Sequence, residues 1–170
     1  MKIFKTILPI LLIVASMTAC GARSTEVKGN DGTKGSSKLD ETKKANKTYT
    51  ISLTKEEFLN KVVDYKGNPN EWLYIGDKPA IIDFWAEWCS YCRKLAPVLE
   101  ELAKEYEGQI YVYKVNTDQE KEIATAFGIR SLPTLFFAPI DGTPKVIEGA
   151  VPKTQIKKII EEILLNETEQ

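Results

Sequence analysis

The segment Asp83-Phe84-Trp85-Ala86-Glu87-Trp88-Cys89-Ser90-Tyr91-Cys92 carries the strongest structural signal in the sequence. It begins inside a near-continuous apolar run, 80–86, which is typical of a β-strand that is buried on both faces. Beyond it, apolar side chains recur on one face at the helical period, at Leu95, Val98, Leu99, Leu102 and Tyr106. The two cysteines therefore lie where a buried strand passes into an amphipathic helix.

Strand and helix patterns alternate outward from this transition in both directions. The predicted strands are 49–53, 80–86, 110–115, 135–137 and 146–148. Four helices are predicted. The first opens at a capping box formed by Thr54 and Glu57, the second follows the cysteine pair, the third spans 120–127, and the fourth follows the last strand. The order β-α-β-α-β-α-β-β-α predicts an α/β domain in which helices flank a central mixed β-sheet.

The spacing of Cys89 and Cys92 points to redox chemistry. Residues three apart on a helix share a face, with Cβ atoms ~5–6 Å apart, so a disulfide closes with little backbone change. The unpaired N–H groups and the dipole at a helix N-terminus favour the thiolate of Cys89. We therefore expect Cys89 to attack a substrate disulfide and the deeper Cys92 to resolve the mixed disulfide.

Two other uses of a Cys-x-x-Cys pair stay open at this point. A zinc site needs two further ligands, and the sequence has no histidine and a total of 3 cysteines, the third being Cys20. A structural disulfide suits an exported protein, but so short a loop restrains the unfolded chain little. The lack of histidine also excludes Cys/His and Ser/His catalytic pairs. We expect no metal and no cofactor.

Taken together, several spaced motifs resemble the thioredoxin family. The stretch from Asp83 to Cys92 is similar to the thioredoxin active-site segment. The resemblance continues at Lys94, Ala96 and Pro97, at 114–118 (Lys-Val-Asn-Thr-Asp), at 128–135 (Gly-Ile-Arg-Ser-Leu-Pro-Thr-Leu) and at Gly149. It covers about residues 80–165 in the correct order. It implies a thioredoxin fold, and thiol-disulfide exchange with protein substrates.

The resemblance also implies roles for two charged residues. Asp83 matches a buried carboxylate that assists proton transfer to and from the inner thiol, and Lys114 matches its buried partner. A carboxylate in an apolar strand should have a raised pKa, which lets it act as an acid or base near neutral pH. The alternative for this pair is a buried ion pair with a structural role only.

A substrate-binding surface is implied around the cysteines. Pro133 matches the family's cis-proline, which faces the disulfide beside a backbone edge able to pair with an extended substrate. Leu132 and Trp88 are placed in the same surface. For Trp85 and Trp88, packing in the core is the alternative to contact with substrate.

The sequence departs from the thioredoxin pattern in two places. The dipeptide between the cysteines is Ser90-Tyr91, where thioredoxins usually carry Gly-Pro. The loop 65–78, which contains Trp72 and Tyr74, is longer than a minimal thioredoxin needs. It is either a packing insertion or part of a partner-specific rim.

Residues 1–19 predict a secretory signal peptide. Lys2 and Lys5 precede an apolar run too short for a permanent membrane span, which needs ~20 residues. The stretch Met17-Thr18-Ala19-Cys20 resembles a bacterial lipobox, in which the cysteine becomes the lipidated first residue, although Met17 replaces the usual Leu. The alternative is ordinary cleavage near Ala19. We expect an exported protein that is anchored by lipid to a bacterial membrane, in the periplasm or at the cell surface.

Residues 20–48 are rich in Gly, Ser, Thr, Lys and Asn, which predicts a flexible linker between the lipid anchor and a domain spanning 49–170. The formal net charge of −1 gives no reason to expect a nucleic-acid partner. We expect a monomer that touches the membrane through its anchor. A membrane electron-transfer partner is also expected, because cytoplasmic thioredoxin reductase cannot reach an exported domain.

The direction of electron flow has three interpretations. The leading one is a disulfide reductase, because Ser90-Tyr91 supplies no cation, whereas strongly oxidising relatives often carry a histidine between the cysteines. The second is a disulfide oxidase or isomerase, which the extracytoplasmic location favours. The third is a redox-inert binding module on the same scaffold, and the intact Cys89, Cys92, Asp83 and Pro133 argue against it.

Overall fold

The computed structural model describes residues 47–166. The elements within this range are β1 (Ile51–Ser52), α1 (Lys55–Lys61), β2 (Ala80–Trp85), α2 (Ser90–Glu105), β3 (Tyr111–Asn116), α3 (Lys121–Ala126), β4 (Thr134–Ala138), β5 (Lys145–Glu148) and α4 (Lys153–Ile159). A π-helical turn, Ile160–Leu164, continues α4. The predicted order of elements is confirmed. The first strand is shorter than predicted, with only two paired residues.

The five strands form one mixed sheet in the order β1-β3-β2-β4-β5. Strands β1, β3 and β2 are parallel, whereas β4 is antiparallel to both of its neighbours, β2 and β5. With helices on both faces, this is the predicted thioredoxin fold. In the register of β2 with β3, Asp83 lies directly beside Lys114.

The sheet buries one apolar cluster on each face. Because side chains alternate along a strand, Ile81 and Leu135 point to one face and Phe84 and Phe136 to the other. The first face packs against α2 and α4, with Leu99 and Ile156 fully buried. The second packs against α1 and α3. Asp83 has the parity of Ile81, so it lies on the face that α2 covers.

The long loop after α1 packs onto the second face. The Trp72 ring meets Phe127 and Phe136 edge-on or tilted, with centroid distances of 5.9 and 6.1 Å. The Tyr74 hydroxyl donates a hydrogen bond to the carbonyl of Lys78 at 2.6 Å. Trp72 therefore has a packing role, whereas Leu73 and Ile75 of the same loop are exposed. A part of this loop in a partner-specific rim stays a prediction.

The N-terminal predictions fall on residues that the structure does not describe. The signal peptide 1–19, Cys20 and the linker up to residue 46 lie outside the described range. Within residues 47–166, no helix is both long enough and apolar enough to cross a membrane.

Candidate redox site

Cys89 and Cys92 form a disulfide at the N-terminus of α2. Cys89 is the N-cap residue, with extended backbone angles, and Cys92 lies in the first turn. Their Cα atoms are 5.3 Å apart, and both side chains are buried. The Cys89 Sγ accepts a hydrogen bond from the backbone N–H of Cys92 at 3.1 Å. In the reduced protein, this donor and the helix dipole favour a thiolate at Cys89.

Leu132 closes the other side of the sulfur pair. Its side chain packs with Trp85 against a small cluster of Ala86 and the two cysteines. The peptide bond between Leu132 and Pro133 is cis, as the sequence predicted, and Pro133 is buried. The carbonyl of Pro133 accepts a hydrogen bond from the N–H of Gly149 at 2.7 Å. This bond ties the cis-proline turn to the end of β5.

Asp83 is a buried carboxyl group on β2, with a side-chain exposure of 1%. Its Oδ1 has no hydrogen-bond partner among the described residues. Burial raises the pKa of Asp83 to about 7, and the nearby positive charge of Lys114 opposes this shift. The predicted rise in pKa is confirmed, so this carboxyl can give up or take a proton near neutral pH.

The burial of Lys114 differs from the prediction. The resemblance to thioredoxins predicts a buried partner of Asp83, but the Lys114 side chain is only half-buried. Within residues 47–166, no ion pair joins the two residues, and the Lys114 ammonium lies 4.3 Å from the centre of the Trp85 ring. The long stem of lysine lets the charge reach an aromatic face near solvent, which avoids the cost of desolvation.

Two exposed aromatic residues flank Cys89. Trp88 is 69% exposed, and its indole N–H donates to Asp118 Oδ1 at 3.3 Å. Tyr91 is 62% exposed, and the Lys94 ammonium lies 5.6 Å from its ring centre. Core packing is thereby excluded for Trp88, whereas the half-buried Trp85 does pack inside.

Asp118 and Lys94 lie within the thioredoxin-like motifs, but neither was predicted to contact the aromatic residues beside Cys89. The local spacing offered a signal for Lys94, because residues three apart on a helix are neighbours. It offered none for Asp118, which lies 30 residues from Trp88 along the chain.

Among residues 47–166, no group of three or more His, Cys, Asp or Glu side chains could hold a metal ion.

Comparison with known proteins places this geometry in a family. The family profile described as thioredoxin matches residues 49–162. The chain is similar to a thioredoxin of Borreliella burgdorferi, with 51% identity over 112 residues, which are 66% of this chain and 95% of that protein. It is also similar to thioredoxin 1 of Nostoc sp., with 47% identity over 88 residues, covering 52% of this chain and 82% of that protein.

A third relative is the chloroplastic M-type thioredoxin of Pisum sativum, which is 40% identical over 115 residues and covered to 67% in both chains. The family profile spans the whole sheet, the cysteine pair and the cis-proline. The chain therefore belongs to the thioredoxin family, and it is an enzyme of the protein-disulfide reductase, or thiol-disulfide oxidoreductase, class that acts on protein disulfides.

Proposed function

We propose that this enzyme reduces disulfides of exported proteins at a bacterial membrane surface, through the redox centre Cys89-Ser90-Tyr91-Cys92. The observation that carries the reducing direction is the uncharged dipeptide Ser90-Tyr91 between the two cysteines. The two cations that follow it have other neighbours, because the Arg93 guanidinium donates to the carbonyl of Glu87 at 2.7 Å and the Lys94 ammonium lies by the Tyr91 ring. A thiolate with little cationic support leaves the reduced form less stable, which lowers the reduction potential.

The first chemical step forms a mixed disulfide. The Cys89 thiolate attacks one sulfur of the substrate disulfide, the substrate S–S bond breaks, and the other substrate sulfur leaves as a thiolate that takes up a proton. Trp88, Leu132 and Pro133 would hold the substrate chain beside Cys89 during this step. The exposure of Trp88 and the contact of Leu132 with the sulfur pair support this role, and Pro133 is included as the cis-proline that follows Leu132.

The second step releases the product. Asp83 takes the proton of the Cys92 thiol, and the Cys92 thiolate attacks the Cys89 sulfur. The mixed disulfide breaks and the substrate sulfur leaves as a thiolate that takes up a proton. The substrate departs as a dithiol, and the enzyme ends as the Cys89–Cys92 disulfide. A base with a pKa of about 7 suits this transfer. Lys114 adjusts that pKa through its positive charge.

The reduction potential of the Cys89–Cys92 couple tests the direction. Equilibration of the lipid-bearing chain in detergent with glutathione and dithiothreitol buffers gives the potential from the fraction of disulfide. We expect a value near the ~−270 mV of thioredoxin, well below the ~−120 mV of the strong oxidant DsbA. A value close to the latter would make the protein a disulfide donor, which is the oxidase alternative.

The membrane location rests on the sequence from Met1 to Cys20 alone. Lipidation of Cys20 would hold the enzyme at the membrane, where a membrane electron-transfer partner would return the Cys89–Cys92 disulfide to the dithiol. Labelling cells with a radioactive fatty acid tests the anchor, and the matched variant is Cys20→Ser. Label on the wild-type chain that is absent from the variant supports the anchor. An unlabelled wild-type chain contradicts it.

A further inference from the structure

Trp88 and Tyr91 are the most exposed of the large hydrophobic side chains in residues 47–166, at 69% and 62%. Both flank the attacking cysteine, one residue before it and two residues after it. Exposure of large apolar side chains to water is unfavourable, so their concentration at the reactive end of α2 indicates a surface that partners cover. Thioredoxins usually carry proline where this chain has Tyr91, so the second ring is particular to this sequence.

Each ring has a polar neighbour. The Trp88 indole N–H is bound to Asp118, and the Tyr91 ring lies beside the Lys94 ammonium, one helical turn further along α2. Tyrosine suits contact with a partner because it offers a large area with few rotatable bonds.

The two rings have neighbours of opposite charge. The Asp118 carboxylate binds the Trp88 indole, whereas the Lys94 ammonium lies beside the Tyr91 ring. The neighbouring cation, Arg93, donates to the carbonyl of Glu87. Within the described part of the chain, the ammonium of Lys94 enters no ion pair with a carboxylate of this protein.

We propose that Tyr91 and Lys94 form a specificity subsite for polypeptide disulfides. An aromatic side chain close to the attacked cysteine packs on the Tyr91 ring, and an acidic side chain nearby binds the Lys94 ammonium. The subsite rests on the proposed reductase function and narrows its substrates to disulfides with acidic and aromatic flanking residues. Tyr91 is thus a residue that selects substrate, while Cys89 and Cys92 carry out the reaction.

Single-turnover reduction of matched peptides tests the subsite. The full chain, reduced beforehand, is mixed with disulfide-linked peptides that place Phe and Glu within two residues of the cysteine. Matched peptides replace Glu with Gln or Phe with Ala, and tryptophan fluorescence follows formation of the Cys89–Cys92 disulfide. The preference for Glu over Gln should be about two- to fivefold, as for an exposed ion pair. The preference for Phe over Ala should be about two- to tenfold.

Two variants separate the two contacts. Lys94→Gln should bring the Glu/Gln ratio to about one and keep the Phe/Ala ratio, whereas Tyr91→Ser should abolish the Phe/Ala preference. The control, Lys145→Gln, removes an exposed charge on β5, at the end of the β4–β5 hairpin away from Pro133, and should keep both ratios. Because each ratio compares two peptides on one protein, any change of reduction potential cancels. About 1 M salt should lower only the Glu/Gln ratio.

Hydroxyethyl disulfide, a small neutral substrate, distinguishes failure of the subsite from failure of the reductase function. If the wild-type chain reduces hydroxyethyl disulfide but shows peptide ratios of one, the subsite is refuted and the reductase function stands. The subsite is also refuted if Lys94→Gln keeps the preference for Glu over Gln and Tyr91→Ser keeps the preference for Phe over Ala. If the chain reduces neither hydroxyethyl disulfide nor peptides, both proposals fall.

Discussion

Asp83 and Lys114 lie side by side on the parallel strands β2 and β3, yet the lysine charge rests on the Trp85 ring, 4.3 Å from its centre. A direct ion pair would hold the pKa of Asp83 low, because an opposite charge at contact distance favours the carboxylate. With the ammonium on the ring, burial remains the larger influence and the pKa of Asp83 stays raised, at about 7. The placement of Lys114 thus keeps a buried carboxyl able to exchange protons at neutral pH.

Replacing Lys114 with Met should raise the pKa of Asp83 further. The substitution keeps an unbranched side chain on the Trp85 ring but removes the positive charge that opposes the effect of burial. Titration of the Asp83 carboxyl carbon by NMR measures the change. Lys78→Met is the control, because the Lys78 ammonium also lies over a β3 ring, 5.4 Å from the centre of Tyr111. An unchanged or lower pKa in Lys114→Met would show that Lys114 does not act on Asp83.

Replacing Asp83 with Asn should stabilise the protein at high pH. The folded pKa of about 7 lies above the ordinary 3.8, so the folded state binds more protons between these values. Wild-type stability therefore falls as pH rises through this window, and an uncharged amide removes the loss. Urea unfolding should show a gain of about 2–4 kcal/mol at about pH 8, and much less at about pH 4.

The same variant should slow the second chemical step, because Asn cannot take the proton of Cys92. Glu71→Gln, which changes an exposed carboxyl in the loop after α1, is the control and should show neither effect. A gain in stability that is equal at both pH values would contradict the raised pKa of the buried Asp83 carboxyl.

Replacing Cys92 with Ser should trap substrates. Cys89 can still attack a disulfide, but no thiol remains to resolve the product, so mixed disulfides accumulate. Non-reducing gels of cells that make this variant should show bands of higher mass that collapse on reduction. The double variant with Cys89→Ser is the control and should form none of them. A single variant without mixed disulfides would favour a scaffold that does not react with its partners.

The order of the elements and the redox pair were predictable from the sequence, because both depend on local patterns. Hydrophobic periodicity marks each strand and helix, and the spacing of Cys89 and Cys92 on one helical face permits their disulfide. The cis bond before Pro133 and the raised pKa of Asp83 followed from family motifs and from the apolar strand around the carboxyl. These features need no knowledge of distant contacts.

The placement of long side chains was not predictable in the same way. Whether Lys114 pairs with Asp83 or rests on Trp85 depends on the register of two strands and on the path of a flexible stem. The loop after α1 was ambiguous because its aromatic residue Trp72 could equally have faced a partner. Its partner rings, Phe127 and Phe136, lie more than fifty residues away along the chain.

Glu100 illustrates a stabilising contact with no local signal in the sequence. Its carboxylate on α2 accepts hydrogen bonds from the backbone N–H of Tyr49, from the N–H of Thr50 at 3.1 Å and from the Thr50 hydroxyl at 2.8 Å. Burial opposes ionisation, but these donors outweigh it and lower the pKa of Glu100 below its ordinary 4.5. The stability they contribute is therefore present above about that pH and is lost as pH falls.

Glu100→Gln should cost about 1–3 kcal/mol of unfolding free energy at neutral pH, because the charge-assisted bonds to two backbone donors are weakened at the start of β1. Urea unfolding measures the cost, and the amide protons of Tyr49 and Thr50 should exchange faster with solvent. Glu101→Gln is the matched control on the same helix. It loses only an exposed ion pair with Lys153, 3.2 Å long, and should cost less than about 1 kcal/mol. If the two variants lose the same unfolding free energy, the hydrogen bonds of Glu100 stabilise the start of β1 no more than an exposed ion pair does.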